Sequence, residues 1–109
     1  MVVKRDGTRE PWDRTKMVAG IQKAIVNRPV TPERVTKMAD RIEEKLRRKG
    51  PEITSQEIGL EVLRSLQKLD QVAYLRFASV YKDFQAVSDF ERELGLLLQK
   101  KEPVEQRRR

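Results

Sequence analysis

Apolar residues recur along this chain with two different periods. Over most of its length they fall three and four apart, the spacing of helices that bury one face. Met17, Ile21, Ala24 and Ile25 form one such set, Val35, Met38, Ile42 and Leu46 a second, and Ile58, Val62, Leu66 and Leu69 a third. A fourth stretch is apolar over a wider arc, with Val72, Ala73, Tyr74, Leu75, Phe77, Ala78, Val80, Tyr81 and Phe84, the pattern of a helix central to a bundle. Phe90, Leu94, Leu97 and Leu98 mark a trailing fifth. The first dozen residues differ. Val2-Val3-Lys4-Arg5 is short and β-branched, Asp6-Gly7 is a strong hairpin signal, and Thr8 to Trp12 reads as a second extended piece that Pro11 confines to a sheet edge.

Polar residues punctuate these elements. Asp13 caps the first helix, which Asn27-Arg28-Pro29 ends. Thr31-Pro32 starts the second, and Gly50-Pro51 stops it. Glu52-Ile53 is a candidate third strand beside the hairpin. Thr54-Ser55-Gln56-Glu57 is a capping box for the third helix, Asp70 caps the fourth, and Ser88-x-x-Glu91 reads as a second capping box opening the fifth. The fold expected is α+β and mostly α. A small β cap, a hairpin with a third short strand, sits on a bundle of about four helices with a trailing C-terminal helix. One domain over residues 1–101 is expected, with residues 102–109 a disordered basic tail.

Composition removes whole classes of chemistry. The 109 residues contain no Cys and no His. A disulfide framework, a zinc site of Cys and His, and Ser-His-Asp or Cys-His catalysis are thereby excluded. The glycines stand alone at positions 7, 20, 50, 59 and 95, so no phosphate-binding Gly-rich motif is present. No active-site constellation is visible, and the chain is read as not an enzyme. No stretch approaches 20 apolar residues and the first residues lack an apolar signal core, so no membrane partner and a cytoplasmic location are expected.

The charge balance, 24 Lys and Arg against 17 Asp and Glu, gives +7 and raises a nucleic-acid reading. Its distribution argues otherwise. Arg107-Arg108-Arg109 carries three of those charges, and runs such as Asp40-Arg41-Ile42-Glu43-Glu44-Lys45 look like solvated helix faces. The densest candidate for chemistry is Lys4 to Lys16. Two adjacent cations, a tight turn and a Lys one turn into a helix could surround a polyphosphate, aided by the free N–H groups of the helix start. Glu10 and Asp13 could hold a ribose hydroxyl or a base amino group. The alternative is a charged hairpin with nothing bound. Tyr74, Phe77, Tyr81 and Phe84 read first as bundle core, and Tyr81 could instead turn its ring toward the cap to stack on a base. Trp12 reads as a plug between cap and bundle. Arg76 and Lys82 either reach a phosphate or face solvent.

Val-Val-Lys-Arg-Asp-Gly-x-x-Glu-x-x-Asp-x-x-Lys, residues 2–16, resembles the opening of an ATP-cone, a nucleotide-binding regulatory domain found in many ribonucleotide reductases. Leu69 to Phe84, with its Ala-Tyr-Leu-Arg-Phe-Ala-Ser-Val-Tyr run, resembles the C-terminal half of the bacterial transcriptional repressor of ribonucleotide reductase genes, the NrdR family. The likeness covers residues 2–98. It implies ATP and dATP, with Mg2+ as a companion ion, as regulatory ligands between cap and bundle, and a homo-oligomer whose state the nucleotide sets. It implies a nucleotide site containing Val3, with Lys4 and Arg5 on phosphates, Lys16 reaching phosphate from the first helix, Glu10 and Asp13 facing base and ribose, Ser55 at the start of the third helix, and Tyr81 on the helix lining the pocket. That family begins with a four-Cys zinc ribbon that binds DNA. This chain has no Cys, so DNA is expected as a partner only through a ribbon it lacks. The readings kept beside this one are the ATP-cone of a ribonucleotide reductase and a basic helical nucleic-acid-binding module.

Overall fold

Asp6 and Gly7 reverse the chain at its start. Gly7 sits at φ +88, in the left-handed region that a side chain disfavours. Its N–H donates to the Lys4 carbonyl at 2.9 Å, and Lys4 N–H donates to the Thr8 carbonyl at 2.8 Å. The Asp6 carboxylate accepts from both the N–H and the hydroxyl of Thr8, at 3.0 and 2.7 Å. This turn joins β1 (Val2–Val3) to β2 (Arg9–Glu10) in the computed structural model. The strands are antiparallel, with Val2 opposite Glu10 and Val3 opposite Arg9. The third strand, β3 (Ile53–Thr54), lies parallel to β1 on its other side, so the order is β2-β1-β3. The structure describes residues 1–106, with side chains to Gln99.

Among the described residues the chain forms five helices, four of them opened by side-chain caps: α1 (Arg14–Ala24), α2 (Pro32–Arg48), α3 (Ser55–Leu69), α4 (Gln71–Tyr81) and α5 (Val87–Gln106). Asp13, Thr31, Thr54 and Asp70 each accept the N–H of the residue three positions on, as the sequence predicts. Thr54 and Glu57 close a full capping box. The start of α5 is a correction. Asp89, rather than Glu91, reaches back, accepting from the N–H groups of Gln85 and Ala86 at 2.8 and 3.2 Å. The helix therefore opens before Ser88, because a shorter acid one turn in satisfies the free N–H groups first. At the other end α5 continues to Gln106, past residue 101 where the sequence reading ends the domain. Arg107, Arg108 and Arg109 of the expected tail lie outside the described residues.

The core is the meeting of the helical stripes. Ile21 of α1, Ile42 of α2, and Val62 and Leu66 of α3 are its largest fully buried side chains. Val2 and Ile53 from the sheet, and Ala73 and Ala78 from α4, join the same cluster. Two adjacent strands of two residues each cannot stand alone in water, so this burial is what holds the cap. Trp12 acts as the expected plug. It is half-buried, and its indole N–H donates to Glu43 of α2 at 2.6 Å, while Arg14 donates to Glu43 and Asp40 at 2.6 and 2.8 Å. The Trp12 bond, then Arg14, hold the Glu43 carboxyl below the usual carboxylate range against the opposing effect of burial.

Candidate functional site

The turn, β2 and α1 bring three charged side chains to one edge of the cap. Lys4 leaves β1, Glu10 ends β2, and Lys16 stands in the first turn of α1. Lys4 Nζ lies 3.4 Å from one Glu10 oxygen and Lys16 Nζ lies 3.4 Å from the other. Partial desolvation pushes the Glu10 carboxyl up, but the two ammonium groups, Lys16 above all, outweigh it and hold the group below its ordinary value. Both lysines are mostly exposed, so these are loose surface pairs, easily exchanged for a better anion.

From Lys16 the site continues along α1. Lys16, Gly20 and Lys23 fall four and three residues apart, one stripe of the helix. Gly20 lies against the Phe77 ring of α4, and Phe77 stacks with Tyr81 at a centroid separation of 6.3 Å and an angle of 18°. The Tyr81 hydroxyl donates to the Gln56 carbonyl at 2.9 Å, next to Ser55 at the start of α3. Ser55 follows Thr54, which pairs with Val3 of β1, the residue before Lys4. Contacts and chain connectivity together trace a circuit from cap to α1, α4, α3 and back to the cap. Beside it a cleft of about 440 Å³ opens between α1 and α4, lined by Gly20, Lys23, Arg76, Phe77, Val80 and Tyr81. That size suits a small ligand, and the lining is largely apolar and aromatic with cations at its margin.

Six of the residues singled out from sequence take part in this circuit: Val3, Lys4, Glu10, Lys16, Ser55 and Tyr81. The other two stand apart. Arg5 is exposed in the turn, with no ion pair among the described residues. Asp13 is committed locally, its carboxylate accepting the Lys16 N–H at 3.4 Å as the helix cap. Arg76 and Lys82 do not merely face solvent, since both are engaged by protein atoms. Arg76 donates to the Ala24 and Val26 carbonyls at 3.2 and 2.6 Å, closing the end of α1. Lys82 pairs with the buried Glu93 of α5 at 2.9 Å.

Sequence reasoning missed Phe77 as a lining residue and the role of Gly59. A Cβ built on Gly59 would fall 1.9 Å from Tyr81 Cε1, so the ring rests directly on the backbone of α3. The signal was available: an isolated glycine inside a helical pattern costs about 1 kcal/mol relative to Ala, and usually has a packing reason.

A cation-bearing β cap on a helical bundle, with an aromatic cleft beside it, defines a small ligand-binding module. A family model described as the ATP cone domain matches residues 1–87. The chain belongs to the ATP-cone family, whose members are nucleotide-binding regulatory modules. It is also similar to proteins named transcriptional repressor NrdR. The one from Thermobifida fusca is 49% identical over 98 residues, covering 89% of this chain and 64% of that relative. The one from Acidothermus cellulolyticus is 48% identical over 113 aligned positions, covering 98% and 66%. The one from Salinispora tropica is 50% identical over 97 residues, covering 88% and 63%. The chain therefore spans just under two thirds of the length of these curated relatives. No helix among the described residues is long and apolar enough to cross a membrane.

Proposed function

We propose that the circuit of Val3, Lys4, Glu10, Lys16, Ser55 and Tyr81 binds an adenine nucleotide, ATP or dATP, as a regulatory ligand that is not turned over. The observation that carries this reading is the convergence of Lys4 and Lys16 on Glu10 at the edge of the cap. In the ligand-free state Glu10 keeps the two ammonium groups close together. A triphosphate displaces it and takes both as charge-assisted donors, with Arg5 swinging in from the turn as a third. Glu10 is then released toward the ribose. Because Asp13 is held by its cap, Glu10 is the group that distinguishes the ribose hydroxyl present in ATP and absent in dATP. The stacked Phe77 and Tyr81 rings supply an apolar face for the base. No three carboxylates gather into a metal site among the described residues, so Mg2+ would be held by the phosphates themselves.

The nucleotide would act by shifting the population between assemblies of the chain, and a self-associating role fits an apolar face that α5 leaves exposed at Phe90, Leu94 and Leu98. The relatives named transcriptional repressor favour a repressor over the cone of a reductase itself, and we read its targets as ribonucleotide reductase genes and its place of action as the cytoplasm. The test is thermal unfolding with ATP and with dATP. At 100 times the dissociation constant a ligand bound only by the folded state adds about 2.7 kcal/mol of stability. The expected result is a clear rise in Tm with both nucleotides and its loss in the Lys4→Ala, Lys16→Ala double variant. No rise with either nucleotide sinks the proposal.

A further inference from the structure

The cations of α2 are exposed, as their sequence pattern suggests, but four of the six fall on one stripe of the helix. Arg34, Lys37, Arg41 and Lys45 fall three, four and four residues apart and run beside the buried stripe of Val35, Met38, Ile42 and Leu46. On α3, Arg64 and Lys68 face them. The six side chains line one groove of about 430 Å³ between the two helices. None of them belongs to the circuit or the cleft described above.

Many cations elsewhere are paired: Arg9 with Glu52, Arg14 with Asp40 and Glu43, Arg28 with Asp70, Arg47 with Glu44. Here one carboxylate is at hand, the buried Glu61, 3.8 Å from Lys45 and 3.3 Å from Arg64. Arg34, Lys37, Arg41 and Lys68 have no ion pair among the described residues. Four unpaired like charges on one groove repel one another and concentrate a positive potential there. A single phosphate would need donors converging on a point. These cations instead form a row, about 16 Å from Arg34 to Lys45 at 1.5 Å per residue. Duplex DNA presents about ten phosphate charges over such a length, at one per 1.7 Å of axis. The second helix supplies a parallel rank of donors across the groove. No aromatic side chain lines the groove, so nothing there stacks on an unpaired base.

We propose that the α2–α3 groove holds the sugar–phosphate backbone of duplex DNA without reading its sequence. It is a contact surface separate from the nucleotide site, carried by the cone itself.

The experiment is fluorescence anisotropy of a labelled random-sequence duplex titrated with the full chain at several salt concentrations. Binding at low salt is expected, with a log–log slope of about −3 to −4, because each neutralised phosphate contributes about 0.9. Lys37→Glu with Arg41→Glu changes two exposed side chains that make no ion pair. The pair is expected to keep its circular dichroism and its ATP-dependent Tm rise while losing at least tenfold in DNA affinity and about two units of slope. Lys4→Ala with Lys16→Ala is expected to lose the ATP response and to bind DNA as before, so failure here and failure of the nucleotide reading are separable. The proposal is overturned by absence of salt-dependent binding. It is equally overturned if the charge-reversed pair binds as tightly as the parent, if ending the chain at Gln106 alone abolishes binding, or if a single strand of equal charge binds more tightly than the duplex.

Discussion

At the scale of single residues, the site depends on how closely a ring can approach a helix. Gly59 is buried in α3 with the Tyr81 ring against its Cα. Gly59→Ala pits two effects against each other. Alanine stabilises a helix interior by about 1 kcal/mol over glycine, while inserting a methyl into a filled space costs about 1 to 3 kcal/mol. The atoms it meets all belong to a side chain that can swing aside, so the ring should yield before the backbone does. The variant is expected to unfold within a few degrees of the parent. Displacing Tyr81 breaks its bond to Gln56 and its stack on Phe77, so affinity for ATP should fall at least tenfold by calorimetry. An unchanged affinity would remove Tyr81 from the site. The residue scale also shows what a linear reading can reach. Lys4, Glu10 and Lys16 could be singled out because a tight turn and a capped helix fix their spacing locally. That Arg76 closes the end of α1, over 50 residues away in sequence, depends on tertiary packing that no local pattern encodes.

At the scale of elements, caps decide the boundaries, and one cap does double duty. Asp70 accepts the Ala73 N–H at 2.9 Å, starting α4, and takes a bidentate pair from Arg28 at 2.8 and 3.0 Å, fastening the loop after α1 to the α3–α4 corner. Arg28 first, and then the Ala73 N–H, hold its carboxyl below the ordinary value, although burial opposes them. A depressed folded pKa contributes stability that is fully present above the unfolded value, about 3.9, and is lost as pH falls through the folded value. The sequence has no His, so carboxylates are the side chains that titrate on the acid side of neutrality. Tm should therefore stay level from neutral pH down to about 5 and fall below about 4. Asp70→Asn keeps a good cap and removes the charge. It is expected to cost roughly 1 to 2 kcal/mol at pH 7, or about 5 to 10 °C in Tm. Parent and variant should converge as pH falls through the depressed folded value of Asp70, and a constant gap at all pH values would show that the Arg28 pair contributes nothing. Capping was legible at Asp13, Thr31, Thr54 and Asp70 because each pairs a short polar side chain with the start of an apolar period. It misled at Ser88, where the nearer Asp89 reaches the free N–H groups first.

At the scale of the whole molecule, a continuous chain has to bury one face of every helix, and α5 does this incompletely. Glu93 and Leu97 turn inward, where Glu93 accepts from the Tyr74 hydroxyl of α4 at 2.5 Å and pairs with Lys82. Burial first, and then that carboxylate, push the Tyr74 hydroxyl well above its ordinary value. The stripe flanking them leaves Phe90, Leu94 and Leu98 each more than 40% exposed, four residues apart, with Phe90 edge-on to Phe84. The period was plain in the sequence, but which part of this wide apolar arc would find a partner was not. The same limit hid the α2–α3 groove: alternating charges look solvated until a second helix supplies cations of its own. If the chain self-associates as proposed, an apolar stripe of this kind on a highly charged chain is the surface for a second copy. Leu94→Glu with Leu98→Glu should leave folding nearly unchanged, because both side chains already face water. Nucleotide affinity should also persist, since neither residue belongs to the circuit around Glu10. Light scattering after size exclusion is then decisive. The parent is expected to change mass between its ATP and dATP forms, and the variant to elute as one species in both. A variant that still changes mass with nucleotide would place the assembling surface on another face of the molecule.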